Sequence, residues 1–197
     1  MRKLGVKLAL FMLPIMMLTA PAKAQNTSDN QRLSDVAAEE STLVFDSFDN
    51  ETAFNLGLAM VKEAKETKAP QTVFDIRRNG QILFRASLAG SSVDNEYWVA
   101  AKLATLTRFQ VSTERKKLEY RANIGADWLK TYPNGGGDAV RFWNLTPQEA
   151  AGLVGGGFPI NVKGVGYVGT IIASGGPDGT DHDFIVAVLR KFLSKPK

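Results

Sequence analysis

The sequence has no cysteine and a single histidine, His182, among 197 residues. The first absence excludes disulfides, thiolate metal sites and lipid attachment at a cysteine. The second excludes any metal site built on several imidazoles. It also leaves one candidate base for a serine triad, and no Gly-x-Ser-x-Gly segment accompanies it. A net charge of one sign is missing too, once the start of the chain is set apart. The whole chain is formally +4, but the first 24 residues hold Arg2, Lys3, Lys7 and Lys23 and no acid, so the remainder carries 20 basic and 20 acidic side chains. Such a balance gives no electrostatic case for nucleic acid or an anionic lipid surface as partner.

Long apolar runs are confined to the start. Leu8 to Leu18 is apolar, follows a basic beginning and precedes Ala22-Lys23-Ala24, a small-x-small cleavage pattern. This reads as a secretory signal peptide over residues 1–24, since a bilayer span takes about 20 apolar residues. The mature protein is then exported, periplasmic or secreted, and keeps no stable membrane anchor after cleavage. Residues 25–42 are polar and read as a flexible leader, leaving 43–197 as one domain.

Within that domain, Ala53, Phe54, Gly57, Met60, Val61 and Ala64 recur at helical spacing behind Asp49, a plausible N-cap, and Pro70 follows the end. Thr72 to Ile76 and Gln81 to Leu88 read as strands joined by Asn79-Gly80, a strong hairpin signal. A helix is expected from about Asp94, with Trp98, Val99, Lys102, Leu103, Leu106 and Phe109 on one face. Gly135 to Gly137 mark a loop, and Thr146-Pro147-Gln148-Glu149 is a capping box opening a short helix to about Val154. Phe158 to Val162 and Tyr167 to Ala173 form a second hairpin. Phe184, Ile185, Val188, Leu189 and Phe192 stripe a last helix. Two hairpins with helices between and after them predict an antiparallel sheet covered by helices, of four strands, or five if the segment at 41–45 joins.

Three motifs bear on chemistry. Gly164 to Gly169 fits Gly-x-Gly-x-x-Gly but opens the β-branched Thr170-Ile171-Ile172, so it reads as close backbone packing in a sheet rather than a dinucleotide turn. Asp178, Asp181, His182 and Asp183 form a carboxylate-rich cluster that suits hard metals, or else Asp181 or Thr180 caps the last helix. Four of the five methionines lie in the first 24 residues, so any haem iron held through His or Met has His182 and Met60 as candidates, with a tyrosinate as the remaining route.

The segments Asp75–Leu106 and Gly155–Leu193, above all Gly156-Gly157-Phe158-Pro159-Ile160, Gly166-Tyr167-Val168-Gly169-Thr170, Ser174-Gly175 and Asp181-His182, resemble the haem-degrading-domain family, also called HbpS-like or GlcG-like, and look nearest to an uncharacterised branch of it. The resemblance covers about residues 43–193. It implies an α/β (α+β) fold, a profilin-like sandwich with an antiparallel sheet flanked by helices. It also implies homo-oligomers and, in some members, a haem cofactor. On this reading the protein binds haem or a related tetrapyrrole, with His182 as iron ligand, Lys102 or Arg108 near the propionates, and Phe158 and Tyr167 against the ring. The alternative is an enzyme acting on a small organic acid or cofactor through an anion site of Lys102, Arg77 and the Gly156-Gly157 amides. A non-catalytic interaction module is a third reading.

Overall fold

The computed structural model describes residues 22–124 and 143–194. The apolar start of the expected signal peptide and the Gly135–Gly137 loop lie outside them. In chain order the elements are α1 (Ala22–Thr42), α2 (Asn50–Thr67), β1 (Val73–Arg78), β2 (Gln81–Ser87), α3 (Val93–Phe109), α4 (Thr113–Ile124), α5 (Pro147–Ala151), β3 (Gly157–Val162), β4 (Gly166–Ser174) and α6 (Thr180–Leu193).

The local signals act as the sequence implies. Asp49 accepts from the Thr52 amide at 2.8 Å and starts α2. Lys68 ends it in the left-handed conformation. Asn79 and Gly80 both take positive φ, 49° and 82°, and turn β1 into β2. Thr146 and Glu149 cap α5 reciprocally.

The strands lie in the order β2-β1-β4-β3, antiparallel throughout. Alternation along each strand sends Phe74, Ile76, Phe158, Ile160, Ile171 and Ala173 to one face, where α2 and α6 supply Leu56, Met60, Ile185 and Leu189. Val73 and Ile172 meet Val99 and Leu103 of α3 on the other face.

Three expectations differ from the structure. The flexible leader at 25–42 is helical and makes up most of α1. Leu33, Val36, Ala37 and Glu40 lie at helical spacing, and α1 lies along α4. The segment 41–45 is not a fifth strand: Phe45 alone bridges Val162, because α1 continues to Thr42. The long helix expected from Asp94 is two helices. Gln110 takes φ 56°, and the hydroxyl of Ser112 accepts from the Arg115 amide at 3.1 Å, starting α4.

The glycine motif at 164–169 belongs to the β3–β4 turn and to β4. A Cβ at Gly169 would lie 2.0 Å from the Arg77 carbonyl oxygen of the neighbouring strand, whereas at Gly164 it would meet nothing within 4 Å. Gly169→Ala is therefore expected to destabilise the protein by about 3 kcal/mol, and Gly164→Ala by about 1 kcal/mol through its positive φ alone. Urea denaturation of the two variants measures both.

Candidate functional site

The most strongly built polar site lies where α3, β4 and α6 converge. Lys102 points from α3 into the space before the first turn of α6, and its Nζ donates to Asp181 Oδ2 at 2.7 Å and to the Ala173 carbonyl at 2.8 Å. Asp181 also accepts from Gln71 Nε2 at 3.0 Å and the Gly176 amide at 2.9 Å. Lys102 is 2 % exposed and Asp181 4 %. Gly156 allows this closeness, since a Cβ there would lie 2.5 Å from Asp181 Cβ and 2.7 Å from Lys102 Nζ. Burial lowers the pKa of Lys102 by more than the Asp181 and Asp178 carboxylates raise it.

This pair lines a cleft of about 290 Å³ bounded by Asp94, Asn95 and Trp98 of α3, by Gly155, and by Ser174 to Gly176. Asp178 stands at its edge, held by Lys117 Nζ at 3.1 Å and the Gly155 amide at 3.1 Å. Burial pushes the Asp178 carboxyl up, but the Lys117 charge and the Gly155 amide outweigh that and leave it below the usual range.

The residues named from sequence are not brought together here. Of the five residues assigned to haem, Lys102 alone lines the cleft, together with Asp178 and Asp181 of the carboxylate cluster. His182 has no exposed surface, and its ring packs beside that of Phe158, itself 0 % exposed, with centroids 5.7 Å apart. The structure thus places the expected iron ligand and ring platform as a sealed imidazole against a core phenyl ring. Helical rotation separates neighbours by about 100°, so Asp181 faces Lys102 while His182 turns toward Glu39 of α1, with Nε2 at 3.1 Å from Glu39 Oε2. Arg108 is a clamp: it donates to the carbonyls of Asn144 and Trp143, at 3.0 and 2.7 Å, and to Glu149 at 2.9 Å. Tyr167 is half-buried and bonds Thr107; burial raises its phenol pKa, which disfavours a tyrosinate.

The carboxylate cluster also disperses. Asp178 goes to Lys117, Asp181 to Lys102, Asp183 to Arg32, and His182 to Glu39. Among the described residues no group of three His, Asp or Glu comes together as a metal cage. Gly179 rather than Asp181 or Thr180 precedes α6, because both side chains are taken, Thr180 Oγ1 by the Pro177 carbonyl. The anion site of the enzyme reading does not assemble either. Arg77 is bound to Asp75 at 2.7 Å, and the Gly157 amide donates to Thr113 Oγ1 at 2.9 Å.

Glu39 is the residue sequence reading missed, since it sits in the segment read as leader. Its hydrogen bond with His182 lowers its pKa, burial opposes this, and the charges of His182, Arg32 and Arg190 add to the lowering. A carboxyl depressed in the folded state stabilises above its unfolded pKa and loses that contribution as pH falls through the folded value. Thermal stability is expected to fall as pH drops below about 4, less steeply in Glu39→Gln, when melting is followed against pH. Truncating the buried pair by Lys102→Met is expected to cost about 3–5 kcal/mol, because it strands the Asp181 charge. The double variant with Asp181→Asn loses less than the sum of the single losses, a coupling that denaturation of the four proteins reads directly.

Similarity to known proteins follows the same frame. Residues 48–190 match the family described as haem degrading protein HbpS-like. A UPF0303 protein of Streptomyces coelicolor is 32 % identical over 163 residues, covering 83 % of this chain and 94 % of the relative. The crystal structure of the Ybr137w protein superposes with a TM-score of 0.71 at 23 % identity, covering 88 % of this chain and 95 % of that one. The PduOC:heme complex gives 0.51 at 17 % identity, covering 75 % and 96 %. With its four-stranded antiparallel sheet between helices, this chain belongs to the HbpS-like haem degrading protein family.

Proposed function

We propose that this protein is an exported, homo-oligomeric binder of haem or a related tetrapyrrole. The observation that carries this reading is the family match over residues 48–190, supported by a fold shared with PduOC, which has been solved as a haem complex. Export is supported by the basic start, apolar run and small-residue pattern of residues 1–24. Self-association is supported by Phe54, against Phe84 of the edge strand β2, and by Ile82 of that strand, both exposed.

Against the residues present, haem finds room and charge but no accessible imidazole. A groove of about 1240 Å³ runs between the α1–α2 connection, α2 and the end of α6, above the roughly 300–1,000 Å³ of ordinary ligand pockets. Leu58, Ala59, Phe192 and Leu193 give it apolar wall; its cations Lys62, Lys163 and Arg190 are matched by Asp46, Asp49 and Glu51 in the same lining, with Lys163 on Asp46 at 2.6 Å and Arg190 on Glu39 at 3.2 Å. His182 and Met60 do not line it and are buried. Bound haem supplies a redox-active iron. The chain's contribution in this conformation would be to cover the ring's apolar surface, with Lys163 and Arg190 exchanging their present partners for its carboxylates.

A second reading has its own observation, the Lys102 cleft. Its lining holds the carboxylates of Asp94, Asp178 and Asp181 and the ammonium of Lys102, with Lys117 behind Asp178 as a second ammonium, so acids still outnumber cations. That balance disfavours an organic acid and favours a small amine-bearing molecule. Thermal stabilisation by small amines but not by hemin selects this reading.

Hemin titration of the purified mature protein is expected to give a saturable change in Soret absorbance. Lys163→Glu with Arg190→Glu weakens it about tenfold, the effect of losing roughly 1.4 kcal/mol. Absence of saturation removes the tetrapyrrole reading. Mass measurement of the exported protein is expected to place its first residue at Gln25.

A further inference from the structure

Lys102 lines a cleft and yet is 2 % exposed. Lysine is almost never buried so far without a charged partner. A buried ion pair is also weak evidence for a purely stabilising role, since apolar side chains of similar volume often serve as well. A desolvated amine beside one specific opposite charge, facing a cleft, is instead a functional arrangement. Lysine becomes a nucleophile where burial eases the loss of its proton, and burial outweighs Asp181 and Asp178 in setting the state of Lys102.

The geometry around the nitrogen suits that chemistry. Among the described residues Nζ has two acceptors for its three protons, Asp181 Oδ2 at 2.7 Å and the Ala173 carbonyl at 2.8 Å. The two oxygens of Asp181 have different duties. Oδ1 is fixed by Gln71 Nε2 at 3.0 Å and the Gly176 amide at 2.9 Å, while Oδ2 faces Lys102 and can exchange a proton with it. Glycine keeps the pair clear. A Cβ at Gly156 would lie 2.7 Å from Lys102 Nζ, and one at Gly176 would lie 2.7 Å from Asp181 Oδ1. Trp98 gives the cleft an apolar wall, with its Nε1 donating to Asp94 at 2.8 Å.

We propose that Lys102 is the nucleophilic amine of a Schiff-base site for a small aldehyde or ketone that bears no acidic group. Asp181 Oδ2 takes one ammonium proton, and the freed amine attacks the carbonyl carbon. The C–N bond forms and the π electrons pass to oxygen, which receives the proton back from Asp181. Asp181 then takes a second proton from nitrogen and delivers it to the hydroxyl. The C–O bond breaks, water leaves, and the nitrogen lone pair closes the C=N bond. One ammonium and one carbonyl become one protonated imine and one water, with no oxidant, reductant or outside proton. The product nitrogen keeps its charge and one N–H beside Asp181, so the buried carboxylate is still paired at the end. Asp94 and Asp178 in the same lining repel an anionic reactant, which sets the class. The site shares its cleft with the amine reading and no lining residue with the haem groove, so it is independent of the tetrapyrrole reading.

The test treats the purified mature protein with propanal and sodium cyanoborohydride at neutral pH, stops at low conversion and maps the propylated lysines by peptide mass spectrometry. Lys102 is expected to react roughly tenfold or more faster than the exposed Lys62, Lys163 and Lys191. A lysine buried for structure alone is shielded, so labelling of Lys102 no faster than those three overturns the proposal. Lys102→Arg keeps a cation toward Asp181 and is expected to lose the fast adduct while the exposed lysines label as before; if that variant does not fold, the map of the parent protein decides. Glyoxylate, an aldehyde bearing a carboxylate, is expected to give Lys102 no advantage, and an equal advantage with glyoxylate overturns the substrate class. Stabilisation by small amines, or saturation by hemin, without an adduct on Lys102 leaves those readings standing and removes this one.

Discussion

The buried ion pair of Lys102 and Asp181 is the constraint around which the rest is arranged. It joins α3 to α6 across the end of β4, with the Ala173 carbonyl as a second acceptor for the ammonium. Charges so buried are tolerable only when every remaining lone pair and proton is engaged, and Gln71 and the Gly176 amide complete the set around Asp181. Gly156 follows from the same requirement, because any side chain there would collide with the pair. The cleft beside the pair is the space left when one backbone turn and one helix start must both approach a lysine.

By fixing Asp181 toward α3, the pair also fixes which way its neighbour turns. His182 is carried to the opposite side of the first turn, onto Phe158 and under Glu39. One helical turn therefore has two functional aspects: a charged pair open to a small cleft and an imidazole closed off by another helix. The two are held by different forces. Burial and mutual charge lock the first, whereas the second depends on a helix with few apolar contacts and many ion pairs.

The glycines show the same separation of roles. Gly169 lies against the backbone of β1, so its place in the Gly-x-Gly-x-x-Gly pattern reflects strand packing. Gly164 and Gly166 serve the turn through positive φ. A motif shared with nucleotide-binding loops here follows from the geometry of a tight hairpin, with no helix after it to offer a phosphate its amides.

The sequence by itself determined the elements and their faces. Asn79-Gly80, Asp49, the Thr146 capping box and the apolar stripes of α2, α3 and α6 act over four residues or fewer, so neighbours along the chain suffice to read them. The start of α4 at Ser112 was equally local, though masked by the helix-forming residues on either side. Only the tertiary structure decided the site. Lys102 and Asp181 are 79 residues apart, and Glu39 and His182 are 143 apart. Which carboxylate meets which cation depends on how helices pack across a sheet. Each of Asp178, Asp181 and Asp183 is an equally good acid in sequence, and only packing assigns them to Lys117, Lys102 and Arg32.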